Sequence, residues 1–270
     1  MSAGYAFGSV PAWSVVREGA GPLVATALHH GHDLRSEVAA ALALDAATRL
    51  HEEDPFTGEF TRVGQTRIVT HRSRFEVDLN RPPEAAVYRT PDDAWGLGVW
   101  TAPPPESLVA ASHALHEAFY AMLERELSDI ASRHGGFVVY DIHSYNHRRA
   151  GPHAPPAPPA GSPDLNLGTG NLDRDRWGAV VDTFLDAVRA AAPGLDAREN
   201  VRFRGGWLTR WVQLRFGDVG CALAIELKKT FMDEWTGRPD PARIAELGDI
   251  LVATAVPVTG ALTGALAARV

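Results

Sequence analysis

Cysteine is nearly absent from this 270-residue chain: Cys221 stands alone, so no intrachain disulfide can form. It lies in an apolar run, residues 219–225, and reads as a small buried hydrophobe. A chain without disulfides suits a reducing cytoplasm. Basic clusters interleaved with aromatics are missing too, and the net charge is −7, so nucleic acid is not an expected partner. Residues 1–13 lack a basic region followed by an apolar core, and no signal peptide is expected. No apolar run spans a bilayer, because Pro257 and Gly260 interrupt the Ala/Val/Leu-rich tail after Ile250; no membrane partner is expected. There is no Gly-x-Ser-x-Gly elbow and no Gly-Lys-Ser/Thr phosphate loop, and Gly168-Thr169-Gly170 lacks a strand-to-helix setting. Serine nucleophiles and nucleotide chemistry are therefore unsupported.

What is present points to one large globular domain across residues 1–270. Of the residues, 45% are hydrophobic and 22% charged, and no linker divides the chain. Apolar runs at 23–28, 137–140 and 220–226 read as buried strands, with 66–70 and 74–79 as further strands. Helical periodicity covers 34–50, capped by Asp33, and 107–134, which stops at Gly135-Gly136. Residues 173–192 and 241–255 read as two more helices. This alternation predicts an α/β fold with a mostly parallel or mixed sheet. Residues 150–163, rich in Pro, Ala and Gly, read as a mobile loop.

The densest polar pattern is Arg74-Phe75-Glu76-Val77-Asp78-Leu79-Asn80-Arg81. Its apolar residues alternate as in a strand, and Pro82-Pro83 ends the run. Asn80 and Arg81 thus fall at a strand end, where a guanidinium and an amide can grip a carboxylate. Three apolar strands end in polar residues: His29, His30 and His32 after the first, Asp141 and His143 after the second, Glu226 at the last. Glu52-Glu53-Asp54 follows the first helix. Imidazoles and carboxylates converging there suit a zinc-like ion with one position open for water, whose pKa the ion lowers. Glu226, alone on an apolar strand, suits a general base, since burial raises a carboxyl toward the working range. Asp141 suits a role supporting the His143 ring. Each residue also has an ordinary reading. Glu226 pairs with Lys228 or Lys229 at the surface, Arg74 pairs with Asp78, Glu52-Glu53-Asp54 is a solvated turn, and the histidines fill a loop.

These segments, with Asn200-Val201-Arg202-Phe203-Arg204-Gly205-Gly206, Glu226-Leu227-Lys228-Lys229 and Met232-Asp233-Glu234, resemble the N-formylglutamate amidohydrolase family. That family is related to the zinc carboxypeptidases and to the aspartoacylase/succinylglutamate desuccinylase group. The resemblance covers residues 29–234. It implies a single three-layer α/β domain, zinc-carboxypeptidase-like, with a mixed, largely central sheet flanked by helices and one catalytic Zn2+. It implies His29 and His143 as imidazole ligands, with His30 or His32 as rivals at the first position because Leu28 replaces the family's usual Pro. Asp54 is implied as the third ligand, with Glu53 and His32 as alternatives. Arg74 would polarise the scissile carbonyl, Asn80 and Arg81 would hold a substrate carboxylate, and Glu226 would be the catalytic glutamate. Arg210, or Arg204 before the Gly205-Gly206 turn, is the candidate for a side-chain carboxylate, and residues 150–163 for a lid. The expected activity is cleavage of the amide of a small acidic N-acyl amino acid, N-formyl-L-glutamate to formate and glutamate. The alternatives are a carboxypeptidase-like or other N-acyl-amino-acid hydrolase and a non-catalytic, metal-dependent binding protein.

Overall fold

The apolar runs assemble into one seven-stranded mixed sheet in the computed structural model, which describes residues 11–268. Residues 1–10, most of the stretch expected to hold no signal peptide, lie outside it. The strands are β1 (Trp13–Arg17), β2 (Leu23–Ala27), β3 (Thr66–Thr70), β4 (Phe137–Tyr145), β5 (Leu165–Gly168), β6 (Ala197–Glu199) and β7 (Gly220–Lys228). The helices are α1 (Ser36–Ala41), α2 (Ala46–Glu52), α3 (Thr57–Phe60), α4 (Glu106–His134), α5 (Arg174–Ala191), α6 (Trp207–Phe216) and α7 (Pro241–Ala267). The strand order is β1-β3-β2-β4-β7-β5-β6. Strands β3, β2, β4 and β7 run parallel, β1 is an antiparallel edge, and β5 is antiparallel to β7.

Alternation along the central strands explains the layers, because successive side chains leave a strand on opposite faces. Leu23, Ala25, Tyr140, Ile142 and Leu223 pack with Trp177, Phe184, Leu247 and Leu251 of α5 and α7. Val24, Val139 and Ala222 pack with Phe119, Leu123 and Leu127 of α4 and Leu208 and Val212 of α6. With both faces covered, the central strands must read as continuous apolar runs, as they do.

Four expectations change. Residues 34–50 form two short helices rather than one; Asp45, not Asp33, caps the second, accepting from Thr48 N at 2.7 Å. Residues 74–79 are not a strand but a run of turns after β3. Glu76 and Asp78 are as buried there as Phe75, so the alternation does not separate a wet face from a dry one. Strand β4 does not stop at Asp141 but continues through His143 to Tyr145. Finally, Pro257 does not break the tail. Helix α7 runs through it, and both the proline and Ala253, the residue whose carbonyl loses its i+4 donor, are exposed. The helix is therefore long and apolar enough to cross a bilayer by length and composition. In this fold its Leu247, Leu251, Val258 and Leu262 belong to the core.

Candidate active site

The C-terminal ends of β2, β4 and β7 open on one cavity of about 240 Å³, the crevice where open α/β sheets gather ligand groups. His29 follows β2, Asp54 follows α2, and His143 lies in β4 directly beside Glu226 of β7. The backbone ties the first two segments together, Asp54 N donating to the His29 carbonyl at 2.8 Å. One ligand atom from each of His29, Asp54 and His143 lies within 4.8 Å of the others, and all three side chains are buried. Both imidazoles turn Nδ1 toward the same oxygen: Asp54 Oδ2 is 3.4 Å from His29 Nδ1 and 3.1 Å from His143 Nδ1. The other Asp54 oxygen accepts from Ser144 Oγ at 3.0 Å.

The outward ring nitrogens are held by two further aspartates. His29 Nε2 is 2.7 Å from Asp78 Oδ1, and His143 Nε2 is 3.1 Å from Asp141 Oδ1. Thr26 Oγ1 fixes that Asp141 oxygen at 3.0 Å, and the Asn80 amide nitrogen stands 3.2 Å from the same His143 nitrogen. A carboxylate on Nε2 places the proton there and leaves the Nδ1 lone pair pointing inward, the arrangement that prepares a histidine to bind a cation. Two imidazole nitrogens and one carboxylate oxygen converge, each braced from behind. This donor set fits a divalent metal with a position left over.

The electrostatics gather negative charge around these rings and proton-load His143, whose Nδ1 proton a bound cation would displace. Burial pushes Asp54 up, but hydrogen bonds to His143 and His29 outweigh it and hold the carboxyl far below the usual range. Asp78 is likewise held down, against burial, by Arg74 and His29. Burial alone would lower His143, yet Asp141, Asp54 and Glu226 raise it well above an ordinary histidine. Glu226 is different: burial, with help from Asp54 and Asp141, pushes it up to about 8 against the opposing pull of His143 and Arg74. It has no hydrogen-bond or ion-pair partner among the described residues and faces the cavity. Its supposed surface partners are elsewhere. Lys228 pairs with Asp164 at 2.9 Å, while Lys229 is buried and donates to the carbonyls of His51 and Glu53, both at 2.7 Å.

The rivals for the metal face other partners. Glu53 is turned to Ser73, His32 and Arg49, His32 is spent on Glu53 and Arg49, and His30 Nδ1 accepts from Gly58 N at 3.2 Å. Arg74 lines the cavity, donating from Nη2 to Asp78 Oδ2 at 2.8 Å and from Nε to Tyr88 Oη at 3.0 Å. The ordinary Arg74–Asp78 pairing is thus present, and the same aspartate serves His29. Asn80 lines the cavity while its Oδ1 and carbonyl hold the start of α6 through Leu208 N and Trp207 N, each at 3.1 Å. Gly206 must be glycine here, since a Cβ would lie 2.3 Å from Asn80 Oδ1.

Of the other three arginines singled out from sequence, two do not line the cavity. The Arg81 guanidinium is not part of the cavity lining: it lies 4.6 Å from the Tyr88 ring centroid and 5.9 Å from that of Trp95, donates to the Asp93 carbonyl at 2.7 Å and stands 3.7 Å from Asp78 Oδ2. It was placed at a strand end, but the turns at 78–81 aim it sideways. Arg210 is exposed on the second turn of α6 and does not line the cavity either. Arg204 does, and its guanidinium has no hydrogen-bond or ion-pair partner among the described residues. Asn166, beside Glu226 on β5, holds the Arg204 loop through Arg202 N at 2.7 Å and the Phe203 carbonyl at 2.9 Å. Residues 150–163 do not line the cavity; Arg198 holds them through the Pro159 and Ala160 carbonyls. Asp78, Lys229 and Arg149 were missed as parts of the site. Only Asp78 left a signal, its spacing of four from Arg74.

A family model described as N-formylglutamate amidohydrolase matches residues 21–232. The chain is 30% identical over 238 residues to a protein of Pseudomonas aeruginosa named N-formylglutamate deformylase, covering 81% of this chain and 85% of that one. A Pseudomonas putida protein of the same name is 29% identical over 255 residues, covering 82% and 87%. Among solved structures, one described as N-formylglutamate amidohydrolase from Ralstonia eutropha JMP134 superposes with a TM-score of 0.72 at 17% identity, over 94% of this chain and all of that one.

Proposed function

Because the chain belongs to the N-formylglutamate amidohydrolase family, we propose that it is a zinc-dependent, cytoplasmic amidohydrolase that converts N-formyl-L-glutamate and water to formate and glutamate. The observation that carries this is the braced His29–Asp54–His143 triad beside a buried Glu226 that faces the same cavity. His29, Asp54 and His143 would hold the zinc, which supplies Lewis acidity toward a carbonyl oxygen and toward water.

The chain's own residues supply the rest. Glu226 takes a proton from the attacking water and returns it to the nitrogen of the breaking C–N bond, releasing glutamate as an amine. Its raised pKa suits it to hold that proton between the two events. Arg74 is oriented by Asp78 and Tyr88 and keeps further N–H donors for charge developing on the formyl oxygen, a contribution of several kcal/mol in comparable sites (about 3). Arg204 and Asn80 bind the substrate carboxylates, and Arg204 reaches them without first giving up a protein partner. The cavity's modest volume suits a small substrate.

The test is formate release from N-formylglutamate by metal-stripped and zinc-reconstituted protein. Activity that is absent after stripping and returns with zinc supports the reading. Undiminished turnover by stripped protein, or none by the reconstituted enzyme, overturns it.

A further inference from the structure

Of the seven tryptophans, two stand strongly exposed among the described residues, Trp95 at 49% and Trp235 at 36%. They flank the catalytic cavity and a hollow that adjoins it. Trp95 lines the cavity itself. Trp235 lines an adjoining hollow of about 320 Å³ together with His51 and Leu97. The two spaces share Glu52 and Arg149 as their common wall.

That aromatic rim is built rather than incidental. The Trp235 ring lies 4.4 Å from the His51 ring, Trp235 Nε1 donates to the Arg148 carbonyl at 3.0 Å, and His51 Nδ1 donates to the Glu234 carbonyl at 2.7 Å. The indole is thus fixed with part of its surface in solvent. Trp95 holds φ at +54°, a left-handed conformation uncommon for a bulky residue, and Gly96 follows at +92°. A strained backbone that presents an indole to a cavity is a sign of function. The Glu52–Arg149 pair, with Arg149 Nη2 at 2.7 and 2.8 Å from the two carboxylate oxygens, is common to the linings of both hollows. Arg149 is exposed, and an exposed ion pair yields readily to a competing group.

We propose that the Trp235 hollow is a second substrate subsite, which takes a flat apolar or aromatic group borne by the N-acyl amino acid whose polar head occupies the catalytic cavity. This rests on the amidohydrolase reading of that cavity. Stacking on a preordered indole costs little side-chain entropy, so such a group adds affinity directly. The group can hang from the acyl end or from the carboxylate end, and two probes separate these.

The experiment measures calorimetric binding to the full-length, zinc-loaded Glu226→Gln protein, in which turnover is strongly slowed. The ligands are N-formylglutamate, N-phenylacetylglutamate and N-formylglutamate α-benzylamide. At least one aryl compound is expected to bind ten-fold or more tightly than N-formylglutamate, and Trp235→Ala should abolish that gain without changing N-formylglutamate affinity. Leu97→Ala, at another lining residue of the hollow, should reduce the gain as well and serves if Trp235→Ala fails to fold. No gain for either aryl compound, or a gain indifferent to both substitutions, overturns the subsite. A Trp235-dependent gain for an aryl ligand alongside undetectable N-formylglutamate binding would keep the subsite and overturn the substrate assignment.

Discussion

Asp78→Asn is the substitution that most sharply probes how the site is held. The Asp78 carboxylate accepts from His29 Nε2 at 2.7 Å and Asn80 N at 2.9 Å through one oxygen, and from Arg74 at 2.8 Å and Tyr88 through the other. Asparagine keeps the shape but offers one oxygen and an amide that itself donates. Whichever way it turns, the amide faces either His29 or the Arg74–Tyr88 pair, donor against donor. Removing one partner of a buried charge pair costs about 3–5 kcal/mol, because the other charge stays buried and uncompensated. The apo variant should lose stability on that order in urea denaturation. Loss of a carboxylate behind a metal-binding histidine weakens metal affinity by roughly 10–100-fold. Competition titration with a zinc chelator should show this, and turnover should fall further because Arg74 loses its orientation. Tyr88→Phe removes one hydroxyl and leaves the aspartate charged, so its effect on zinc affinity should be far smaller. Wild-type zinc affinity in Asp78→Asn would refute the idea that this carboxylate braces His29.

Other outcomes follow from the same geometry. Glu226→Gln should lower kcat by about 100-fold or more while zinc content stays at the wild-type level, read by steady-state formate release and metal analysis. In metal-free protein, the folded Glu226 titrates near 8 and the unfolded one near 4.5, so the folded state binds the extra proton between these values. Apo stability should therefore fall as pH rises through that window, and Glu226→Gln should flatten the fall, measured as urea midpoints at the two ends. Arg204→Ala should raise KM for N-formylglutamate by roughly ten-fold or more with a smaller change in kcat, whereas Arg210→Ala should leave both unchanged. Equal effects of the two would displace Arg204 from the carboxylate site.

The central strands were legible because β2, β4 and β7 are buried on both faces and so carry uninterrupted apolar residues; α4 and α5 were legible through long helical periods. Strands β5 and β6 and helix α6 escaped notice, being short and assembled from mixed residues whose burial depends on neighbours distant in sequence. The segment 74–79 misled for a related reason. Its acids are buried because Arg35, Arg74 and His29 meet them, and that satisfaction comes from three separate parts of the chain. His29, His143 and Glu226 were legible as polar residues closing apolar runs, whereas Asp54 entered through the family resemblance. The choice of Asp54 over Glu53 was not legible, since adjacent residues point opposite ways and only the fold shows which one faces the histidines. Arg81 and Arg210 do not line the cavity: Arg81 turns to Asp78, Tyr88 and the Asp93 carbonyl, and Arg210 is exposed on α6.

The central claim is best tested by metal stoichiometry on purified protein equilibrated with zinc and freed of excess. The account predicts one zinc per chain in wild type, Glu53→Gln and Glu226→Gln, and little or none in Asp54→Ala and His143→Ala. A wild-type protein that retains no zinc, or an Asp54→Ala variant that retains a full equivalent, would contradict it.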